Sequence, residues 1–218
     1  MIQRFNKEFH HFIQLLSKNS IYRLMVAIFF IIVNYLSTVY FERIPRSLLS
    51  YMPVYKADIS AILNQQVFEI LLLLIGLLFP VNLFHTFLFE DNAFFLIRKN
   101  YREYHFIACQ ILQWIYCIIY LALCVLLPLI LNVSTVRLDG WFIYSVMLLV
   151  LLFNVCQLCS MFHTLYLGYT ISLSYLLLLA IFSRQILNHF YITLIIQIGL
   201  LTLITIYAYH KYQNYEFI

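Results

Sequence analysis

Apolar residues occupy this chain in long blocks, and polar residues mark the joints between them. One block runs over Leu24–Phe41, interrupted by Asn34, and a second over Val67–Phe89, with Gly76 and Pro80 as expected kink points. A third covers Ile107–Leu131. Each is long enough, at about 1.5 Å per residue, to cross a hydrocarbon core roughly 30 Å thick. From Trp141 to Phe182 the chain stays apolar for 42 residues. A single helix of that length would measure roughly 63 Å, about twice the core thickness, so the segment must fold back. The expected turn is Ser160–Thr164, where Ser, His and Thr cluster, giving spans at Trp141–Cys159 and Leu165–Phe182. A short loop, Ser183–His189, leads to a sixth span at Phe190–Tyr209. The polar joints are Glu42–Gln66, Glu90–Phe106 and Asn132–Gly140, and no internal repeat is visible.

The first twenty residues follow a different rule. Phe5, Phe9, Phe12, Ile13 and Leu16 recur at helical spacing on one face, while Lys7, His11, Gln14 and Lys18 fall largely opposite. The run is too polar to span. It predicts an amphipathic helix over residues 2–18 lying in the membrane interface, with rings in the acyl boundary and charges among headgroups. A soluble cap is the alternative. No short apolar core followed by a small-residue cleavage site is present, so a cleavable leader is not expected.

Composition sharpens this picture. Of 218 residues, 64% are hydrophobic and 10% charged, against about 45–50% and roughly 25% in an average soluble domain. A water-soluble enzyme or nucleic-acid binder is thereby excluded. The expected fold is all-α: one polytopic transmembrane domain over residues 1–218 with six membrane helices. The net charge of +4 reads as topology signal spread over the loops. With both termini inside, eight Lys/Arg are cytoplasmic (Arg4, Lys7, Lys18, Arg23, Arg98, Lys99, Arg102, Lys211) and five lie outside (Arg43, Arg46, Lys56, Arg137, Arg184). The excess of positive charge on the inner side favours that orientation.

Little in the spans points to catalysis. Ionisable residues within a membrane mark ion paths or active sites by default, and Glu69 is the exception here, close enough to the start of its span to reach the interface. The seven His are scattered, and adjacent His10 and His11 point about 100° apart on a helix. No HExxH, GxSxG or phosphate-loop pattern occurs. The five cysteines, Cys109, Cys117, Cys124, Cys156 and Cys159, all fall in apolar runs, which argues for helix packing and against a disulfide framework. No metal, cofactor or catalytic residue is expected in the chain. Asn132-Val-Ser134 fits a glycosylation acceptor, without meaning in a bacterial protein.

The most informative joint is Glu90–Phe106. Phe94, Phe95 and Ile97 precede Arg98, Lys99, Tyr101, Arg102, Glu103, Tyr104 and His105. This suits a short cytoplasmic helix parallel to the membrane, and an ordinary positive-inside loop would carry the same charges. The plan is an amphipathic N-terminal helix, two spans, a charged cytoplasmic segment, then four spans. It resembles the ABC-2 type transporter permease subunits, specifically the small bacterial ones that work with a separate ATPase. In that family the segment after the second span is the coupling helix, with an acidic residue near its start and an Arg leading into the third span. Glu90-Asp91 and Arg98-Lys99-Asn100-Tyr101-Arg102 match those features, while Asn92-Ala93 stands where the family commonly has Gly.

The resemblance implies that Glu90, Asp91, Arg98, Lys99 and Arg102 couple to an ATP-binding-cassette ATPase that holds the ATP in a separate subunit. It further implies a dimer with a second permease copy or a sister permease, a bacterial cell membrane location with both termini cytoplasmic, and no enzymatic activity in this chain. The apolar, aromatic-rich spans suit a hydrophobic or amphipathic cargo, and small permeases of this kind often serve bacteriocin or antimicrobial-peptide export and self-immunity. The competing expectation is a non-transporting membrane accessory or immunity protein without an ATPase partner.

Overall fold

The computed structural model describes residues 59–90, 99–130, 140–162, 164–182 and 188–214, together with Phe9, His10, residues 12–14 and 27–33, and Ile186. Among these residues the regular structure is helical throughout, with no strand. Helix α1 spans Ile59–His85 and continues as a π-helical turn over Thr86–Glu90. Helix α2 spans Lys99–Ile130, α3 Gly140–Ser160, α4 Leu165–Ile181 and α5 Phe190–Gln213. Residues 9–10, 12–14 and 27–33 are also helical.

Among the described residues, four stretches are long and apolar enough to cross a membrane: Ile70–Phe89, Arg102–Cys124, Phe142–Ser160 and Phe190–Gln213. Helix α4 is apolar but shorter, at 17 residues. The chain is therefore a helical membrane protein. The 42-residue apolar run folds back where its polar cluster predicts. Helix α3 stops at Ser160, Met161 and Phe162 turn, and Thr164 donates to the Cys159 carbonyl from both its hydroxyl (3.0 Å) and its backbone N–H (3.1 Å).

Several helix boundaries differ from the hydropathic ones. Helix α1 begins at Ile59, inside the stretch expected to be a loop up to Gln66. Helix α2 begins at Lys99, two turns before the expected span start at Ile107. Helix α5 runs on past Tyr209 to Gln213. The cause is common to all three. Hydropathy marks where a helix enters hydrocarbon, whereas the helix itself extends into flanking polar residues that carry no helix-breaking signal. No Gly or Pro lies within 59–75, 99–107 or 209–213. The apolar stretch of α1 itself starts at Ile70, directly after Glu69.

Helix α3 is the centre of the bundle and packs against α1, α2, α4 and α5. Its sequence is apolar on every side, which suits a helix with neighbours all round. Residues 148–154 are all buried, and 72% of its span is covered, against 11% of the α5 span. The α3–α4 contact is close because Gly168 has no side chain: a Cβ there would lie 2.8 Å from the Cys156 Cα. Ser172, one turn on, brings its Oγ within 3.6 Å of Cys156 Sγ. Small residues at such a seam let membrane helices gain dispersion contacts that lipid cannot supply. All five cysteines are buried thiols, as expected of packing residues.

Aromatic rings link α1, α2 and α3. Phe84 meets Phe153 at 5.5 Å and Tyr116 at 6.1 Å, and Tyr116 stacks on Tyr120 at 5.9 Å. The N-terminal segment joins them through Phe12, which stacks on Phe84 at 5.1 Å and meets Phe87 edge-on at 5.5 Å. Phe9 and Ile13 are exposed. The apolar face expected to lie wholly in the interface is thus divided, with Phe12 seated in the protein core. Phe5 and Leu16 lie outside the described residues.

The α1–α2 seam shows how the sequence handles a proline inside a span. Pro80 has no N–H, so the carbonyl of Gly76, four residues earlier, loses its helical donor. Tyr116 of α2 replaces it, with its hydroxyl donating to the Gly76 carbonyl at 3.1 Å. Tyr120 donates to the Leu72 carbonyl at 2.6 Å. Gly76 also makes room for that ring, since a Cβ there would fall 2.5 Å from Tyr120.

Candidate functional site

Two constellations stand out. The first lies at the end of the bundle where α1 finishes, α2 begins, α3 turns into α4 and α5 finishes. A helix leaves its last carbonyls without intrahelical donors, and away from water those groups need partners. The π turn of α1 obtains them from two other helices. His105 Nε2 lies 2.9 Å from the Phe87 carbonyl, and because a carbonyl only accepts, the imidazole proton sits on that nitrogen. Tyr212 of α5 donates to the Leu88 carbonyl at 3.4 Å. Rings fill the space between: Phe87 and His105 at 4.6 Å, Phe106 and Tyr212 at 5.5 Å, Phe106 and Tyr209 at 5.6 Å, Phe89 and Tyr212 at 6.0 Å.

Two cations complete this clamp. Arg102 donates from its guanidinium to the main-chain carbonyl of Gln213 at 3.0 Å, a basic side chain meeting the negative end of a helix. The Lys211 ammonium stands 4.7 Å above the Phe162 ring, joining the end of α5 to the α3–α4 turn. The first two turns of α2 are in this way fastened to α1 and α5.

The second constellation is a polar seam within the bundle. Gln110 of α2 donates to Asn154 Oδ1 of α3 at 2.7 Å and approaches Gln157 Oε1 at 3.5 Å. Asn154 Nδ2 donates to Thr205 Oγ1 of α5 at 2.9 Å, and Thr205 donates to the Leu201 carbonyl at 2.7 Å. Gln157 Nε2 reaches Cys109 Sγ at 3.5 Å. Nearer the other end, Tyr175 of α4 donates to Gln197 Oε1 of α5 at 3.1 Å. Gln113 is fully buried, and its amide oxygen and nitrogen have no hydrogen-bond partner among the described residues. Amides and hydroxyls of this kind hold helices in register. They do not ionise, so they provide hydrogen bonds rather than general acid–base chemistry.

Of the residues expected to form the coupling site, Glu90 closes the π turn, Lys99 opens α2, and Arg102 lies one turn further on. Asp91 and Arg98 lie outside the described residues. Within the segment expected to be a short cytoplasmic helix or an ordinary loop, residues 99–105 are the first two turns of α2, and residues 91–98 lie outside the described residues. Sequence reasoning missed the polar seam. Its signal was present as single amides, Gln110, Asn154 and Gln157, inside apolar runs, but their meeting depends on the register of three helices. It also missed Tyr212 and His105 as partners of the π turn. No family model, curated protein or solved structure matches this chain.

Proposed function

We propose that this chain is the six-span permease subunit of an ATP-binding-cassette transporter, with both termini and residues 90–106 in the cytosol. A separate ATPase binds and hydrolyses ATP, and the permease pairs with a second copy or a sister permease in the bacterial cell membrane. The observation that carries this reading is the clamp at the Arg102 end. Force applied by a cytosolic ATPase must reach helices in the membrane through an element that does not yield. Residues 99–105 are the first two turns of α2 and are tied to α1 through His105 and to α5 through Arg102. A push on that segment therefore moves three helices together. The excess of Lys and Arg on the same side of the six-span plan supports the orientation. A hydrophobic or amphipathic peptide is the cargo that the apolar, aromatic-rich spans suit.

The contact surface for the ATPase falls to Glu90, Asp91, Arg98 and Lys99, since Arg102 is committed to Gln213. The full-length chain, purified with its neighbouring gene products, should bring down an ATP-binding-cassette ATPase. Reversing Arg98 and Lys99 to Glu should lower that yield while membrane insertion persists. If the unaltered protein brings down no such ATPase, the transporter reading fails in favour of a membrane accessory or immunity protein.

A further inference from the structure

We propose that the outer face of α4 and α5 is a lipid-facing surface built for a hydrocarbon layer about 24 Å thick, with short-chain phospholipid as its preferred neighbour. Tyrosine settles at the headgroup level of a bilayer, its ring against the chains and its hydroxyl toward water. Among the described residues the exposed tyrosines are Tyr104, Tyr166, Tyr191 and Tyr207, and each stands near one end of its helix's apolar stretch. Tyr191 is the second residue of α5 and is 79% exposed, while Tyr207, 56% exposed, lies one turn before His210. Sixteen residues separate the two, which places the headgroup levels roughly 24 Å apart. Helix α5 continues beyond Tyr207, but through His210 and Lys211, and exposed Asn188 and His189 precede Tyr191 at the other end. Helix α4 gives the same height independently. Tyr166, 84% exposed, is its second residue, and its 17 residues measure roughly 25 Å. The two helices are joined by the Tyr175–Gln197 bond at 3.1 Å.

The chemistry between the tyrosines names acyl chains as the occupant. Helix α5 presents Ile192, Ile195, Ile196, Leu203 and Ile206 there, all exposed. The exposed hydroxyls are turned inward: Thr170 donates to the Leu167 carbonyl and Thr202 to the Gly199 carbonyl, each at 2.9 Å. A hydroxyl satisfied by its own helix needs nothing from a neighbour, as hydrocarbon demands. Length then sets the thickness. The apolar stretches of α1 and α2 run to 20 and 23 residues, long enough for a core of about 30 Å. A long span fits a thin layer by tilting, whereas a short lipid-facing one in a thick layer thins the bilayer around it. The short helix and the closely spaced tyrosines therefore decide the fit. They direct the protein toward thin membranes, since mismatch sorts membrane proteins by thickness.

This inference goes beyond the transporter reading and stands whether or not an ATPase is found. The unaltered full-length protein is reconstituted in phosphatidylcholine bilayers with fourteen-, eighteen- or twenty-two-carbon chains. Competition between brominated and plain lipid, read through quenching of Trp114 and Trp141, should give an affinity about threefold higher for the shortest chains than for the longest. Depth is read separately, with Trp114→Phe and Trp141→Phe as the background. Tyr191→Trp and Tyr207→Trp should each be quenched best by bromines near the headgroup, and Ile198→Trp by bromines at the chain ends. Tyr207→Leu combined with His210→Tyr moves that tyrosine one turn outward on an exposed face, and should shift the preference to eighteen-carbon chains. Equal affinity for all three lipids, or a preference for the longest, overturns the proposal. So does an unchanged preference in the double variant. A Trp at 191 or 207 that no brominated lipid quenches also overturns it, because protein would then cover that face.

Discussion

Tyr116 and Tyr120 make the same kind of bond for different reasons, and the difference can be measured. The Leu72 carbonyl that accepts from Tyr120 also has the Gly76 N–H within its own helix. The Gly76 carbonyl that accepts from Tyr116 faces Pro80, which has no N–H. Removing the Tyr116 hydroxyl leaves an orphaned acceptor in the bundle, and removing the Tyr120 hydroxyl does not. Tyr116→Phe should therefore destabilise the protein by about 1 kcal/mol, and Tyr120→Phe by clearly less. Unfolding of each variant by denaturing detergent in mixed micelles measures the order. Equal losses would show that the proline is irrelevant. Pro80 and both tyrosines are plain in the sequence, but their relation is not. It needs the pairing of α1 with α2 at a separation of 40 residues.

At the scale of elements, the sequence makes some boundaries legible and hides others. The α3–α4 turn could be read because 42 apolar residues cannot form one span and contain a single polar cluster in the right place. The start of α5 at Phe190 follows equally from the pattern. The start of α2 could not, because residues 99–106 are polar enough to pass for a loop and helical enough to extend the span. The π turn of α1 has no hydropathic signature either. Its partners come from residues 105 and 212, one on each of two other helices. Their importance to that turn predicts that His105→Leu or Tyr212→Phe speeds amide exchange at residues 86–90 by about tenfold, equivalent to roughly 1.4 kcal/mol of local opening. The protected centre of α3 should be unaffected. Mass-spectrometric hydrogen exchange in micelles distinguishes this from global loosening, in which α3 would exchange faster as well.

For the whole molecule, the charged and aromatic ends of α2 and α5 and the α3–α4 turn gather at one end of the bundle, with Arg102, Phe162 and Lys211 as its markers. The six-span reading puts that end in the cytosol and Lys56 on the other side. Single cysteines at positions 56 and 211, on a background in which the five native thiols are replaced, should label with an impermeant maleimide from opposite sides of sealed vesicles. Labelling from one side would mean an odd number of crossings between them has been miscounted. The general class, helical and membrane-spanning, was legible from hydropathy alone. The internal polar seam was not, since each amide looks like an isolated interruption until Gln110, Asn154 and Thr205 are brought together.

The Tyr116 bond also has a place in time. A chain made from its N-terminus brings Gly76 out of the ribosome 40 residues ahead of Tyr116. At about 5–20 residues per second, that interval is roughly 2–8 s. During it the second span holds a proline-exposed carbonyl that only the third can satisfy. The two helices thus have reason to leave the insertion machinery as a pair, and the pause between them is written into the spacing of Pro80 and Tyr116.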